Sequence, residues 1–366
     1  MKNLIRKILP KKSRFVGIDI GAHQVKAAEI KIIDGLPEVV SLRRHPAPPG
    51  VWTEQFDEES LVQALKEVAN PQLKEVITCA GGEKVISRII RFPQMPGKEL
   101  EAAVKFEIQK FVPTPVDQLI IRHVSLEGTA GDQEKDSKIK IHIPRTGETR
   151  EISGKQEEGQ DVLLLAVPAA TVFQYYSLFS RAGLVVMAVD LKAFALWRIF
   201  KGIAEGTFAI ADIGEKTSHL VVVRDGLIDF IRVLPAGGNA LTESIMNSYG
   251  VDAPEAVHLK MEAAVALDND DGEGHSYSEV LHEGLLEITR EMHRSLQFYT
   301  SQENAAAEKL IITGETSKMT GLTVFLQEAL GLPVEVGVPQ VDFAGGIAFD
   351  PAFSVAIGLA LREVAE

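Results

Sequence analysis

The sequence predicts an α/β protein built on a duplicated supersecondary unit. Two stretches carry that prediction. Phe15-Val-Gly-Ile-Asp-Ile-Gly21 and Phe208-Ala-Ile-Ala-Asp-Ile-Gly214 each run an apolar strand into Asp-Ile-Gly, turn over a few polar residues and leave on a second apolar strand. Behind each comes an Asp-Gly turn, Asp34-Gly35 in one and Asp225-Gly226 in the other, and then a third strand-like run. One Asp-Ile-Gly arises easily by chance, but the same order of strands and turns twice marks an internal repeat of a whole unit.

The chemistry such a unit permits follows from its residues. Gly21 and Gly214 let the backbone turn sharply and approach a ligand, so that amide N–H groups line up toward an anion. The carboxylates two residues earlier, Asp19 and Asp212, repel a phosphate unless a cation such as Mg²⁺ stands between, directly or through water. Two such hairpins facing each other would grip a polyphosphate from both sides. A single Asp-x-Gly hairpin is an ordinary strand terminator; the duplication is what argues for a ligand.

Composition bounds the rest. The 366 residues suffice for about two domains, and 45% hydrophobic with 24% charged residues is the balance of a globular protein. A net charge of -13 argues against a nucleic-acid partner, which selects for basic faces. Basic residues do gather at the N-terminus, where Lys2, Arg6, Lys7, Lys11, Lys12 and Arg14 surround Leu4, Ile5, Ile8 and Leu9. A solvated, frayed terminus and a membrane-surface contact both account for them. That apolar run is too short for a signal peptide, and no run reaches the roughly 18 to 20 residues that span a bilayer, so a cytoplasmic chain is expected. Cys79 is the single cysteine, which excludes an intramolecular disulfide and a multi-cysteine metal site.

Along the chain, helical spacing marks 57–69, and 75–82 reads as a buried strand entering Gly81-Gly82. A second style of structure begins at Lys84: strand 85–92, a helix over 98–111 with Leu100, Val104, Ile108 and Phe111 on one face, and strand 119–126. The polar stretch 127–160 contains an excursion hairpin around Arg145-Thr-Gly-Glu148. Strand 161–168, helix 169–182, strand 184–190 and helix 193–200 lead to the second copy, with Gly202 and Gly206 as a hinge. After it come helices to Ser248, over 253–266 and over 277–301, then strand 309–313 turning at Gly314, helix 321–330, strand 334–338 and helix 353–364. The acidic loop 268–275 fails the EF-hand pattern: with Gly272 at the glycine position, Leu267 and Ser278 fall on ligand positions. His282 and His293 lack a partner at i+4 and are expected on the surface.

Two Asp-Ile-Gly hairpins, a late strand-Gly-helix and a final helix carrying Ala356-Ile-Gly-Leu-Ala360 resemble the actin/Hsp70/sugar-kinase superfamily. Within it the chain is most similar to the PilM family, cytoplasmic actin-like components of type IV pilus machinery related to the division protein FtsA. The block Phe92-Pro-Gln-Met-Pro96, helix Glu99 to Ile108 and Val112-Pro113 is specific, with Ala188-Val-Asp-Leu191 and Pro235-Ala-Gly-Gly-Asn239 in support. The resemblance implies an actin-like, RNase H-like duplicated fold, two domains flanking a nucleotide cleft, with an extra subdomain. Its expected divisions are a first part over 1–83, the inserted subdomain over 84–183, and a connecting helix and hinge over 184–206. A second domain follows over 207–345, containing a helical subdomain over 240–305, and a C-terminal helix over 346–366 returns to the interface.

The same resemblance implies ATP and Mg²⁺ as cofactors. The positions it assigns to nucleotide are Asp19, Gly21, Ala22, His23, Gln24 and Lys26 in the first hairpin and Asp212, Gly214, Lys216 and Thr217 in the second. Gly237, Gly238, Gly314 and Glu315 complete the set, with Asp19 and Asp212 toward Mg²⁺ through water. The implied partner is the cytoplasmic N-terminal peptide of a PilN-like inner-membrane protein, held beside the Val85 to Phe111 region. Other pilus inner-membrane components and self-association are further expectations.

Three departures bear on chemistry. Ala22-His-Gln24 replaces small hydroxyl residues, Glu315 follows Gly314 where a second glycine is usual, and Lys192 stands where relatives carry a glutamate that orients Mg²⁺ and water. Together they point to weak or absent hydrolysis. An FtsA-like filament-forming tether and a kinase or ATPase of the superfamily are the competing readings. The first would need a basic amphipathic helix where Leu361 to Glu366 is short and acidic; the second would need a general base.

Overall fold

The computed structural model describes residues 13–51, 56–80, 85–112, 114–126, 138–142, 149–153, 159–262, 275–303 and 305–364. The basic N-terminal run before Ser13, the Gly81-Gly82 turn, the 145–148 turn and most of the acidic loop lie outside them. The chain divides into two compact units, one of residues 1–85 with 170–366 and one of residues 86–169.

Unit 1 opens with β1 (Arg14–Ile20), β2 (Gln24–Ile33) and β3 (Leu36–Pro46), an antiparallel meander, followed by helix α1 (Glu58–Val68) and β4 (Glu75–Ala80). α1 starts where Asp57 caps it, its carboxylate accepting from the Ser60 amide at 3.1 Å, and its Leu61, Val62, Leu65 and Val68 are buried at helical spacing. β4 runs parallel to β1, as a crossover through a helix requires.

Unit 2 holds β5 (Ile86–Pro93), helix α2 (Gly97–Ile108), β6 (Leu119–Leu126), the hairpin β7 (Lys138–His142) and β8 (Thr149–Ser153), and β9 (Gly159–Pro168). β9 lies between β5 and β6, antiparallel to both, and α2 buries Leu100, Val104 and Ile108 in a small core with Phe92, Val162, Leu164 and Ala166. Phe111 was expected on that buried face. The helix stops at Ile108, so the helical period is broken and Phe111 is exposed with Arg88 over its ring at 5.5 Å.

The chain re-enters unit 1 as α3 (Ala169–Arg181), β10 (Val185–Leu191) and α4 (Lys192–Phe200). The insert was expected to run to residue 183. α3 instead packs Tyr175, Leu178 and Phe179 with Ile18, Val25, Leu61 and Leu65, so its buried face belongs to unit 1. β11 (Thr207–Ile213), β12 (Ser218–Arg224) and β13 (Leu227–Leu234) then repeat the opening meander. α5 (Gly238–Tyr249), α6 (Ala253–Glu262), α7 (His275–Glu303), β14 (Leu310–Thr313), α8 (Leu322–Leu330), β15 (Val334–Val336), the two-residue β16 (Asp342–Phe343) and α9 (Ser354–Ala360) complete the chain.

Apart from the short β16 at the edge of the first sheet, the two copies share one topology. The first sheet reads β10-β4-β1-β2-β3-β16 and the second β13-β12-β11-β14-β15, so each has its meander on one side of the first strand and two parallel strands on the other. Registers match as well: Asp19 pairs with Lys26 across β1 and β2, and Asp212 with His219 across β11 and β12, each one pair before the strand end. Even the Asp-Gly turns agree. Asp34 and Asp225 have φ of 51° and 52°, and Gly35 and Gly226 have 88° and 80°, the two positive values that a tight hairpin turn of matching twist demands.

Two helices occupy the core between the sheets. α4 supplies Ala193, Ala195, Leu196, Ile199 and Phe200, and α9 supplies Val355 to Ile357, Leu359 and Ala360, packed with Phe15, Ile30 and Ile77 of one sheet and Phe208, Ile210 and Val221 of the other. The approach depends on two glycines. A Cβ on Gly17 would lie 2.1 Å from the Ala356 carbonyl oxygen, and one on Gly358 would lie 2.1 Å from that of Ala195. Among the described residues no helix is long and apolar enough to cross a membrane.

Candidate functional site

Between the two repeats of unit 1 lies a cavity of about 670 Å³. Its floor is made by the ends of β1 and β11, where the strands give way to the duplicated turns. The Gly21 amide donates to the Gln24 carbonyl at 2.9 Å, closing the first turn. The second turn is braced from behind: the Gly238 and Asn239 amides donate to the Gly214 and Glu215 carbonyls at 2.8 and 2.7 Å.

Of the positions that the resemblance assigns to nucleotide, Asp19, Gly21, Ala22, His23, Gln24, Lys26, Asp212, Gly214, Lys216, Thr217, Gly314 and Glu315 line the cavity. Gly237 and Gly238 do not. Both are buried behind the wall, where a Cβ on Gly237 would meet the Gly214 carbonyl at 2.5 Å and one on Gly238 the Thr316 hydroxyl at 2.5 Å. Their role in this geometry is to let α5 start hard against the second turn.

The two carboxylates of the floor are not electrostatically equivalent. Lys192, the first residue of α4, places Nζ 3.2 Å from Asp19 Oδ1, with 14% and 5% of the two side chains exposed. Cys79 Sγ lies 3.6 Å from the same oxygen. Burial alone would raise the Asp19 pKa, but the Lys192 ammonium and then Lys26 outweigh it and hold the carboxyl below its usual range. Asp212 has no such ion pair among the described residues: burial, with the neighbouring Asp19 charge, pushes its pKa up, and Lys192 only partly offsets this. Lys192 itself is pushed up, because Asp19 and then Asp212 outweigh the burial that would lower it. His219, paired in register with Asp212, is driven down to about 3 by burial and then by the Lys192 charge, so its ring is neutral at physiological pH.

Further charges are matched in the same manner. Lys260 is fully buried and donates to both Glu215 carboxylate oxygens, at 3.1 and 2.9 Å, and to the Gly238 carbonyl at 3.3 Å. Lys318 and, at 3.9 Å, Arg44 pair with Glu315 Oε1. Glu315 Oε2 and Gln24 Oε1 remain buried without a hydrogen-bond partner among the described residues, two acceptors in the cavity wall. At the first turn, Asn239 Oδ1 accepts from His23 Nε2 at 3.1 Å, tying the first repeat to the start of α5.

The lining also has an apolar part. Met246 of α5 and Ala253, Pro254, Val257 and Met261 at the start and along one face of α6 border the cavity. A flat apolar ligand fits such a surface, and an anion fits beside Lys26, Lys192 and Lys216. Nothing in the residue pattern singles out these lining residues or Glu215 as ligand contacts. The i, i+4 spacing of Val257 and Met261 was legible, but it reads equally well as helix core.

A duplicated sheet order, a helix pair in the core between the repeats and a cleft at the ends of the first strands define an actin-like protein. The family model described as type IV pilus assembly protein PilM matches residues 148–364, and the chain belongs to that family. A solved PilM-PilN type IV pilus biogenesis complex is similar at 26% identity, with a TM-score of 0.76 over 97% of this chain and 99% of that one. The cell division protein FtsA of Pseudomonas aeruginosa is 23% identical over 94% of this chain and 88% of its own length. That of Neisseria meningitidis is 28% identical over 41% of each, so the match spans under half of that relative. MreB5 of Spiroplasma citri, solved bound to ADP, shares the fold at a TM-score of 0.51 and 11% identity over 97% of this chain and 98% of that chain.

Proposed function

We propose that this chain is an ATP-binding scaffold of a type IV pilus inner-membrane assembly, and that it holds the cytoplasmic N-terminal peptide of a PilN-like membrane protein. The observation that carries the reading is the likeness to the PilM-PilN complex across nearly the whole chain. In the cleft, the turns at Gly21 and Gly214 with Lys26 and Lys216 take the phosphates. The base lies along Met246, Val257 and Met261, and Glu315 Oε2 accepts from a ribose hydroxyl. Pairing of Glu315 with Lys318 removes the charge that would otherwise stand against the nucleoside.

The peptide is taken by unit 2. Phe106 on α2 is 64% exposed and Phe111 and Val124 are exposed as well, which supports an apolar contact for a partner segment. The association with the inner membrane then runs through that partner. The replacement of the usual glutamate by Lys192 favours a scaffold over a catalyst.

The test is fluorescence anisotropy with a labelled N-terminal cytoplasmic peptide of a PilN-like protein from the same source as this chain, with and without ATP. Saturable binding lost on Phe106→Ala, with the fold retained, supports the reading. No peptide binding in either condition overturns it.

A further inference from the structure

We propose that the Lys192 ammonium takes the place of the divalent cation at the cleft floor, so that the cleft binds the polyphosphate of ATP without Mg²⁺. This rests on the reading of the cleft as a nucleotide site.

Two carboxylates at equivalent hairpin positions, Asp19 and Asp212, repel a polyphosphate, and some cation must offset them. Here the protein supplies it. Lys192 Nζ stands 3.2 Å from Asp19 Oδ1 in a nearly dry setting, and it lines the same cavity as Asp212. Mg²⁺ demands near-octahedral oxygen ligands at about 2.0–2.1 Å and keeps several waters. Asp19 Oδ1 already has the Lys192 ammonium at 3.2 Å and the Cys79 thiol at 3.6 Å, so a hydrated ion would compete with both for that oxygen. Expelling the lysine would leave a cation without its partner at the bottom of the cleft, which is costly in a buried site.

The remaining charges follow the same plan. Glu215 is matched by Lys260 and Glu315 by Lys318, so each of these acidic groups has its own internal lysine. Lys26 and Lys216 border the cavity, and neither has a carboxylate within 4.0 Å among the described residues, which leaves both to face an anion. Among the described residues no group of three or more His, Cys, Asp or Glu side chains is arranged to hold a metal. With Asp19, Glu215 and Glu315 each matched by a lysine and Lys192 set beside Asp212 in the same cavity, the site accepts a polyphosphate as it stands.

The experiment is isothermal titration of the full chain with ATP in excess Mg²⁺ and again in excess EDTA. The proposal expects the two affinities to agree within about threefold. Binding tighter by about tenfold or more in Mg²⁺ overturns the proposal and leaves the nucleotide reading standing. Absence of ATP binding in both buffers overturns both. The variant Lys192→Glu, checked for folding by circular dichroism, is expected to make ATP binding depend on Mg²⁺ by about tenfold or more. A folded Lys192→Glu protein that binds ATP equally well in both buffers also overturns the proposal. Should that variant not fold, Lys192→Gln is titrated under the same criterion.

Discussion

Gly358→Ala probes the helix pair in the core between the two repeats. The added Cβ would sit 2.1 Å from the Ala195 carbonyl oxygen and 2.6 Å from its carbonyl carbon, with the Ala195 Cα at 2.9 Å. Ordinary contact begins near 3.4 Å, so α4 and α9 must separate by more than an ångström. Both sides of the contact are backbone, and no rotamer can relieve it. Overpacking by one methyl costs about 1–3 kcal/mol, and an unyielding backbone neighbour puts this case near about 3 kcal/mol. At about 2–4 °C per kcal/mol for a domain of this size, the melting temperature should fall by about 6–12 °C. Differential scanning calorimetry measures it, with Gly97→Ala as control, since a Cβ there meets nothing within 4 Å. A Gly358→Ala melt indistinguishable from wild type would refute the claim that the two helices are held at backbone contact.

Lys260→Met strands the Glu215 carboxylate without its buried cation and should cost about 3–5 kcal/mol in urea unfolding. Adding Glu215→Leu should restore most of it, and a double variant no better than the single one would show that the pair is not the cause. For His219 the folded pKa of about 3 lies below the unfolded value near 6.5, so between them the unfolded chain binds the extra proton. Stability is then complete above about pH 6.5 and falls by up to about 1.4 kcal/mol per unit as pH drops through that window. His219→Gln should show a shallower fall in its urea midpoint between about pH 7 and about pH 5; an unchanged slope contradicts the assignment. Cys79 is buried, and burial together with the Asp19 charge pushes its thiol pKa well up, so iodoacetamide should label it only after unfolding, as read by mass spectrometry. Phe106→Ala should change stability by no more than about 0.5 kcal/mol, because the side chain is already in water.

Twelve of the fourteen positions that the resemblance assigned to nucleotide line one cleft, whereas the repeat and the strand and helix order were legible in the residues themselves. They are local facts: Asp-Ile-Gly at a strand end, an Asp-Gly turn at a fixed distance, apolar residues at helical spacing. The end of the insert was less legible, because α3 has the same pattern whichever core receives it, and only packing of Tyr175 and Phe179 assigned it. Gly237 and Gly238 looked like ligand contacts, since a glycine that admits a ligand and one that admits a neighbouring carbonyl are the same letter.

What the sequence determined by itself is the architecture, since turn chemistry and hydrophobic period act over a few residues and are written in order along the chain. What only the tertiary structure decided is the charge state of the cleft. Lys192 is far in sequence from Asp19, Lys260 is 45 residues from Glu215, and pairing at such separations is set by where the strands and helices end in space. The two Asp-Ile-Gly hairpins are alike as sequence; the lysine at the head of α4 makes them different as chemistry.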